Sequence, residues 1–231
     1  MISVNKLNVA YGQSAIIHDI SLQAEEKEIV AVMGKNGMGK TTLMKSLIGL
    51  LRPVSGSIEL DGVDVTAWES YQRVAQGIAY VPQGRQIFSQ LTVEENILTG
   101  LDPKSPQKIQ LFEEVYAMFN VLYDMRKRKG GNLSGGQQQQ LAIARALVSE
   151  PKVLLLDEPT EGIQPSIIKD IARLLNEIKE TKNLAIIVTE QVLSFTVDIA
   201  DRMFVIESGR FQHEDVRGSI NEEKIKAFLS V

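Results

Sequence analysis

The chain has 231 residues, no cysteine and a formal net charge of −4. Disulfides and thiolate metal sites are therefore excluded, a reducing compartment fits, and bulk nucleic-acid binding has no support from charge. No apolar run reaches about 18 residues, which predicts no transmembrane helix, and the start lacks a basic region followed by an apolar core, which predicts no export signal.

The opening ISVNKLNVAYG alternates apolar and polar residues and reads as a strand. The apolar run Ile29–Met33 follows and leads into GKNGMGKT, Gly34 to Thr41, which fits G-x-x-x-x-G-K-[ST] between a strand and a helix pattern. In such a loop glycines let backbone N–H groups curl around phosphate oxygens, and the helix start adds partial positive charge. The pattern offers Gly34, Asn36, Gly37, Gly39, Lys40, Thr41 and Thr42 to a nucleotide. Lys40 is placed for the β- and γ-phosphates and the Thr41 hydroxyl for Mg²⁺. Leu43, Met44, Leu47, Ile48 and Leu51 share one helical face, and Arg52-Pro53 predicts the stop. SIELDGVDV then alternates on both sides of Asp61-Gly62, the signature of an antiparallel hairpin.

Ile78–Val81 reads as a further buried strand. From about residue 84 to 145 the pattern turns helical. LTVEEN predicts a helix start capped by Thr92, with Glu95 reaching back. Leu111, Phe112, Val115, Tyr116, Phe119 and Leu122 form an amphipathic stripe, read as core packing. The short basic run Arg126-Lys127-Arg128-Lys129 reads as a solvated segment. LSGGQ, Leu133 to Gln137, precedes a helix carrying Leu141, Ile143, Ala144 and Leu147. Ser134 can cap it and Gln137 stands at the reciprocal position, so this is a second helix start with glycines, Gly135 and Gly136, in front. One nucleotide does not need two such starts about a hundred residues apart. A head-to-tail pair of chains would use both.

VLLLDEPT, Val153 to Thr160, is a buried strand ending in two carboxylates. Beside a phosphate loop, Asp157 is placed to hold Mg²⁺ and Glu158 to deprotonate an attacking water; taken alone, a strand-end Asp-Glu reads equally as a helix cap. Leu184–Val188 is another apolar run that hands over Thr189, Glu190 and Gln191 at its carboxyl edge, where open α/β sheets place ligand chemistry. Met203–Ile206 is the last such run. Buried runs alternating with helix-period segments predict an α/β fold with a mostly parallel sheet covered on both faces, an antiparallel β layer beside it and a helical insertion.

The full set resembles the nucleotide-binding subunits of ABC transporters, over essentially the whole chain. LSGGQ together with both phosphate-site motifs carries that resemblance. It implies a P-loop NTPase of the ABC cassette type as a single domain, 1–231. Residues 1–83 and 146–231 would form a RecA-like core with its antiparallel β subdomain, and 84–145 a helical subdomain. By the same resemblance Tyr11 stacks on adenine, Gln83 contacts Mg²⁺ and senses a membrane partner, and Gln191 stands where a switch histidine is usual. The cofactors implied are ATP and Mg²⁺. The partners implied are a second ATP-binding subunit, identical or different, two transmembrane permease subunits and, indirectly, a solute-binding protein; no nucleic acid is implied. The chain would sit peripherally on the cytoplasmic face of a bacterial plasma membrane.

Two positions depart from the common pattern: Gln164 in EGIQP, where Asp is usual, and Gln191 itself. Both resemble the branch of ATPases serving branched-chain amino-acid and urea uptake. Within it, EGIQPSIIKDI and NLSGGQQQQLAIARAL are most similar to the urea-type second ATPase subunit. Two rivals are weighed against this. A soluble ABC ATPase acting on ribosomes or DNA usually carries two cassettes or a long coiled coil, which this chain lacks. A GTP-binding switch would need a guanine-reading motif after the phosphate loop, and Asn5-Lys6 precedes it.

Overall fold

The computed structural model describes residues 1–102, 106–220 and 222–230. The chain opens with β1 (Ile2–Tyr11), β2 (Ser14–Ala24) and β3 (Ile29–Met33), and then helix α1 (Lys40–Ile48). The hairpin β4 (Ser55–Leu60) and β5 (Val63–Asp64), α2 (Ser70–Gln76) and β6 (Ile78–Val81) come next. A helical stretch follows: α3 (Val93–Leu98), α4 (Lys108–Met118), α5 (Asn120–Asp124) and α6 (Gly135–Leu147). The chain closes with β7 (Val153–Asp157), α7 (Pro165–Lys182), β8 (Ala185–Glu190), α8 (Leu193–Ile199), β9 (Arg202–Glu207), β10 (Arg210–Val216) and α9 (Glu222–Ser230).

The strands form two sheets, ordered β2-β1-β4-β5 and β10-β9-β3-β8-β7-β6. The first is antiparallel. The second is parallel except for its β10 edge. Every residue of β3, β7 and β8 is buried, as expected for central parallel strands covered on both faces. Alternation along β3 splits the core in two. Ile29, Ala31 and Met33 face a core shared with α6 and α7, whereas Val30 and Val32 face one shared with α1 and the antiparallel sheet. The phosphate-loop helix is thus clamped between the two sheets.

Three boundaries differ from expectation, each for a local reason. Helix α1 ends at Ile48, ahead of Arg52-Pro53. Gly49 adopts a left-handed φ of 84°, and Leu50 N–H turns back to Lys45 O at 2.9 Å, a glycine C-cap that leaves Leu51 outside the helix. The buried guanidinium of Arg73 completes this end, donating to Ser46 O and Leu47 O at 2.7 and 2.9 Å. The stripe from Leu111 to Leu122 is divided between α4 and α5, because Phe119 leaves the helical region with φ −120° and ψ 62°. Strand β8 continues past Val188 through Thr189 and Glu190, because Asp157 of β7 and Met33 of β3 stand opposite these residues in register.

The Asp61-Gly62 turn forms with both residues at positive φ, the type I′ geometry that suits hairpin twist. Thr92 and Glu95 close the expected capping box. Among the described residues no helix is long and apolar enough to cross a membrane.

Candidate functional site

Between β3 and α1 the chain makes a tight loop against the core. A side chain at Gly34 would place its Cβ 2.6 Å from the Ile206 carbonyl oxygen, so β9 approaches too closely for any other residue. Gly39, the residue before α1, has φ 105° and provides no side-chain cap. The first-turn N–H groups of α1 therefore lack side-chain capping, and a helix start of this kind favours anions. It borders a cavity of about 270 Å³ lined by Asn36, Lys40, Thr41, Thr42, Gln83 and Glu158, with Ile16 beside them.

Lys40 is 4 % exposed. Its ammonium donates to Gly34 O at 2.6 Å and Lys35 O at 2.9 Å and pairs with Glu158 at 2.9 Å. Asp157, at the end of β7, has a partner on each oxygen. Oδ1 accepts from the Thr189 hydroxyl at 2.7 Å and the Thr41 hydroxyl at 3.3 Å, and Oδ2 accepts from the Tyr80 hydroxyl at 3.1 Å. Burial, then the negative charge of Asp157, raises the Tyr80 phenol above its ordinary pKa and keeps it a donor. Adjacent strand residues point to opposite faces, yet Asp157 and Glu158 both serve the α1 start. The left-handed φ of 48° at Glu158 ends the alternation there.

Glu158 also accepts from Gln191 Nε2 at 2.9 Å and from Gln83 Nε2 at 3.5 Å. Gln191 Nε2 reaches Asn36 Oδ1 as well, at 2.8 Å. The carboxyl edges of β3, β6, β7 and β8 thereby bring Asn36, Lys40, Thr41, Gln83, Asp157, Glu158 and Gln191 together. Glu190, adjacent to Gln191, turns the other way. Its Oε1 accepts the Thr160 N–H at 2.9 Å and its Oε2 the N–H groups of Gln191 and Val192 at 2.9 and 3.3 Å. Burial raises its pKa, and these hydrogen bonds oppose the rise.

The LSGGQ residues occupy a different surface. Ser134 caps α6 by accepting the Gln137 N–H at 3.4 Å, and Gln137 Oε1 accepts the Ser134 N–H at 3.0 Å. Gly136 lets α6 pack on α7, since a Cβ there would lie 2.4 Å from Ile167 Cγ2. Ser134, Gly135, Gly136 and Gln137 do not line the α1 cavity. Tyr11, at the end of β1, is 48 % exposed and does not line the α1 cavity.

Two residues in this network were not singled out in the sequence. Tyr80 sits inside an apolar run and reads as core, whereas Thr189 stands at the polar strand end that the sequence marks. Arg85 follows the Gln83 loop at φ 67°. It donates to Glu161 O at 2.8 Å, joining that loop to the segment after Glu158, a contact that no local pattern announces.

The family described as ABC transporter matches residues 17–161. The chain is 37 % identical over 222 residues to the high-affinity branched-chain amino acid transport ATP-binding protein BraG of Pseudomonas aeruginosa, covering 95 % of this chain and 94 % of that one. It is 31 % identical over 231 residues to the lipopolysaccharide export system ATP-binding protein LptB of Haemophilus influenzae, covering 98 % and 95 %. Its fold matches a crystal structure of a nucleotide-free ATP-binding cassette from an ABC transporter with a TM-score of 0.87 at 26 % identity, covering 100 % and 95 %. The chain belongs to the ABC transporter family as an ATP-binding subunit, and it hydrolyses ATP in coupling to transport.

Proposed function

We propose that this chain is the motor subunit of an importer and energises uptake of urea or short amides through separate permease subunits. The observation that carries the motor reading is Glu158, held at once by Lys40 and Gln191 beside the uncapped start of α1. Lys40 and the N–H groups of the Gly34 to Thr42 segment bind the β- and γ-phosphates. A γ-phosphate competes with Glu158 for the Lys40 ammonium, and a carboxylate released from that pair is free to accept a proton from water. Gln191 donates through its amide to the phosphate or the water, and Tyr11 stacks on the adenine.

The Thr41 hydroxyl, the Asp157 carboxylate and the Gln83 amide are oxygen donors of the type Mg²⁺ prefers. Together they would hold it, and when bound the ion neutralises phosphate charge. The self-capped start of α6, with Ser134, Gly135, Gly136 and Gln137, completes the site of a second ATP-binding subunit, identical or different, in a head-to-tail dimer. Residues 1–83 and 146–231 act as the catalytic core and 84–145 as the helical subdomain. The two permease subunits dock near the Gln83 loop and that subdomain, on the cytoplasmic face of a bacterial plasma membrane. A solute-binding protein acts through them.

The urea preference rests on the wording of EGIQPSIIKDI and NLSGGQQQQLAIARAL. The similarity to BraG over 95 % of the chain favours a second reading, branched-chain amino acids as the transported solute. The test is transport by the assembled complex, purified in detergent with its permeases and reconstituted in vesicles. ATP-dependent accumulation of labelled urea is the expected result, and accumulation of leucine instead establishes the second reading. Export without uptake of either, as the similarity to LptB would allow, overturns the importer assignment.

A further inference from the structure

Strand β6 is an edge strand of the parallel sheet, so one flank of Tyr80 has no neighbouring strand. A groove of about 450 Å³ runs along that edge, and Tyr80, Pro82, Gln86, Phe88, Arg145 and Ser149 help to line it. Its far wall is tied to the Gln83 loop: Arg145 donates to Arg85 O and Gln86 O at 3.3 and 3.0 Å and lies over the Phe88 ring at 5.3 Å. Tyr80 borders this groove, and its hydroxyl reaches inward to Asp157 Oδ2 at 3.1 Å. One half-buried residue thus meets both a surface depression and the buried carboxylate of the phosphate site.

A metal-holding carboxylate needs its orientation fixed, and hydrogen bonds to its oxygens do this. Thr189 and Thr41 secure Oδ1 of Asp157, and the Tyr80 hydroxyl is the hydrogen-bond donor on Oδ2. The bond is directional and the ring is rigid, so material that displaces Tyr80 from the groove side moves the hydroxyl with it.

We propose that Tyr80 is a positioning residue that conveys the filling of this groove to the Asp157 carboxylate, and so sets how well the site holds its metal. This rests on the reading of Asp157 as the Mg²⁺ carboxylate and deepens the role of the face assigned to the permeases.

The probe is Mn²⁺, followed by electron paramagnetic resonance with the full chain and a non-hydrolysable ATP analogue. Tyr80→Phe, which deletes one hydroxyl, should weaken Mn²⁺ binding about tenfold and leave metal-free analogue binding unchanged. The chain has no cysteine, so Ser149→Cys offers one thiol, and a bulky maleimide there fills the groove. That label should shift Mn²⁺ affinity by about threefold or more with Tyr80 present, and not in the Tyr80→Phe background. Unchanged Mn²⁺ affinity in Tyr80→Phe, no shift on labelling, or an equal shift in both backgrounds overturns the proposal. Asp157→Asn separates the two levels. Lost Mn²⁺ binding there upholds the metal assignment whatever Tyr80 does, whereas retained binding removes that assignment and the proposal with it.

Discussion

The two glycine-bearing helix starts of this chain, at α1 and α6, differ in how their orphan N–H groups are treated. Gly39 leaves the α1 start without a side-chain cap, Lys40 supplies a buried cation, and a cavity adjoins it. Ser134 caps the α6 start with a reciprocal Gln137 bond, no lysine or arginine stands in its first turn, and Ser134 is exposed. The first start can hold an anion by itself. The second has partly satisfied its own donors and faces outward; in the proposed head-to-tail dimer, another chain would bring the phosphate to it.

Lys40→Ala is the harshest test of this asymmetry. It removes the cation from the α1 start and leaves Glu158 without its ion pair. ATP binding should weaken and turnover fall about 10³-fold or more, measured by nucleotide titration and phosphate release. Unchanged values would mean that the α1 start is not the nucleotide site. Glu158→Gln keeps the side-chain shape and removes the base. Turnover should drop by about two or more orders of magnitude with ATP binding intact, and sedimentation should show an ATP-trapped dimer. A monomer with full turnover contradicts the role given to Glu158.

Ser134→Arg addresses the α6 start. In a homodimer activity should fall about tenfold to a hundredfold. In a mixture with Lys40→Ala, one composite site should remain intact and the other be doubly broken. Full activity of Ser134→Arg paired with itself would remove support for the head-to-tail arrangement. Gln191→Ala should lower turnover about tenfold with little loss of ATP affinity, and Gln191→His should stay active and gain a pH dependence near neutrality. Wild-type turnover of Gln191→Ala in the assembled transporter would show that Gln191 merely closes the strand.

The smallest effect concerns stability. Burial raises the Glu190 pKa above its unfolded value, so the folded chain binds that proton more tightly. Stability from this group is complete below the ordinary carboxylate range and declines as pH rises through the raised value. Glu190→Gln should flatten that slope, changing stability by about 1–3 kcal/mol, read from denaturant melts across pH. An unaltered slope would show that another group carries the titration.

Much of this was legible in the sequence because it depends on neighbours along the chain. The β3, β6, β7 and β9 runs, the Asp61-Gly62 turn, the capping boxes at Thr92 and Ser134 and the phosphate loop all follow from side-chain period, turn chemistry and spacing of a few residues. The end of α1 was missed although Gly49 stood in view, since a single glycine tells a cap from a tolerated interior residue only when its φ is known.

What tertiary structure alone decided is how residues far apart in sequence share one edge. The pairing of β7 with β8 sets Thr189 opposite Asp157. The left-handed turn at Glu158 swings its carboxylate onto Lys40 and Gln191, while Glu190 closes on the Thr160 loop instead. Local composition fixes which segments are strands and which carry phosphate chemistry. The direction of a strand-end side chain depends on backbone torsion and on which buried donors still need an acceptor, and those are settled only when the strands assemble.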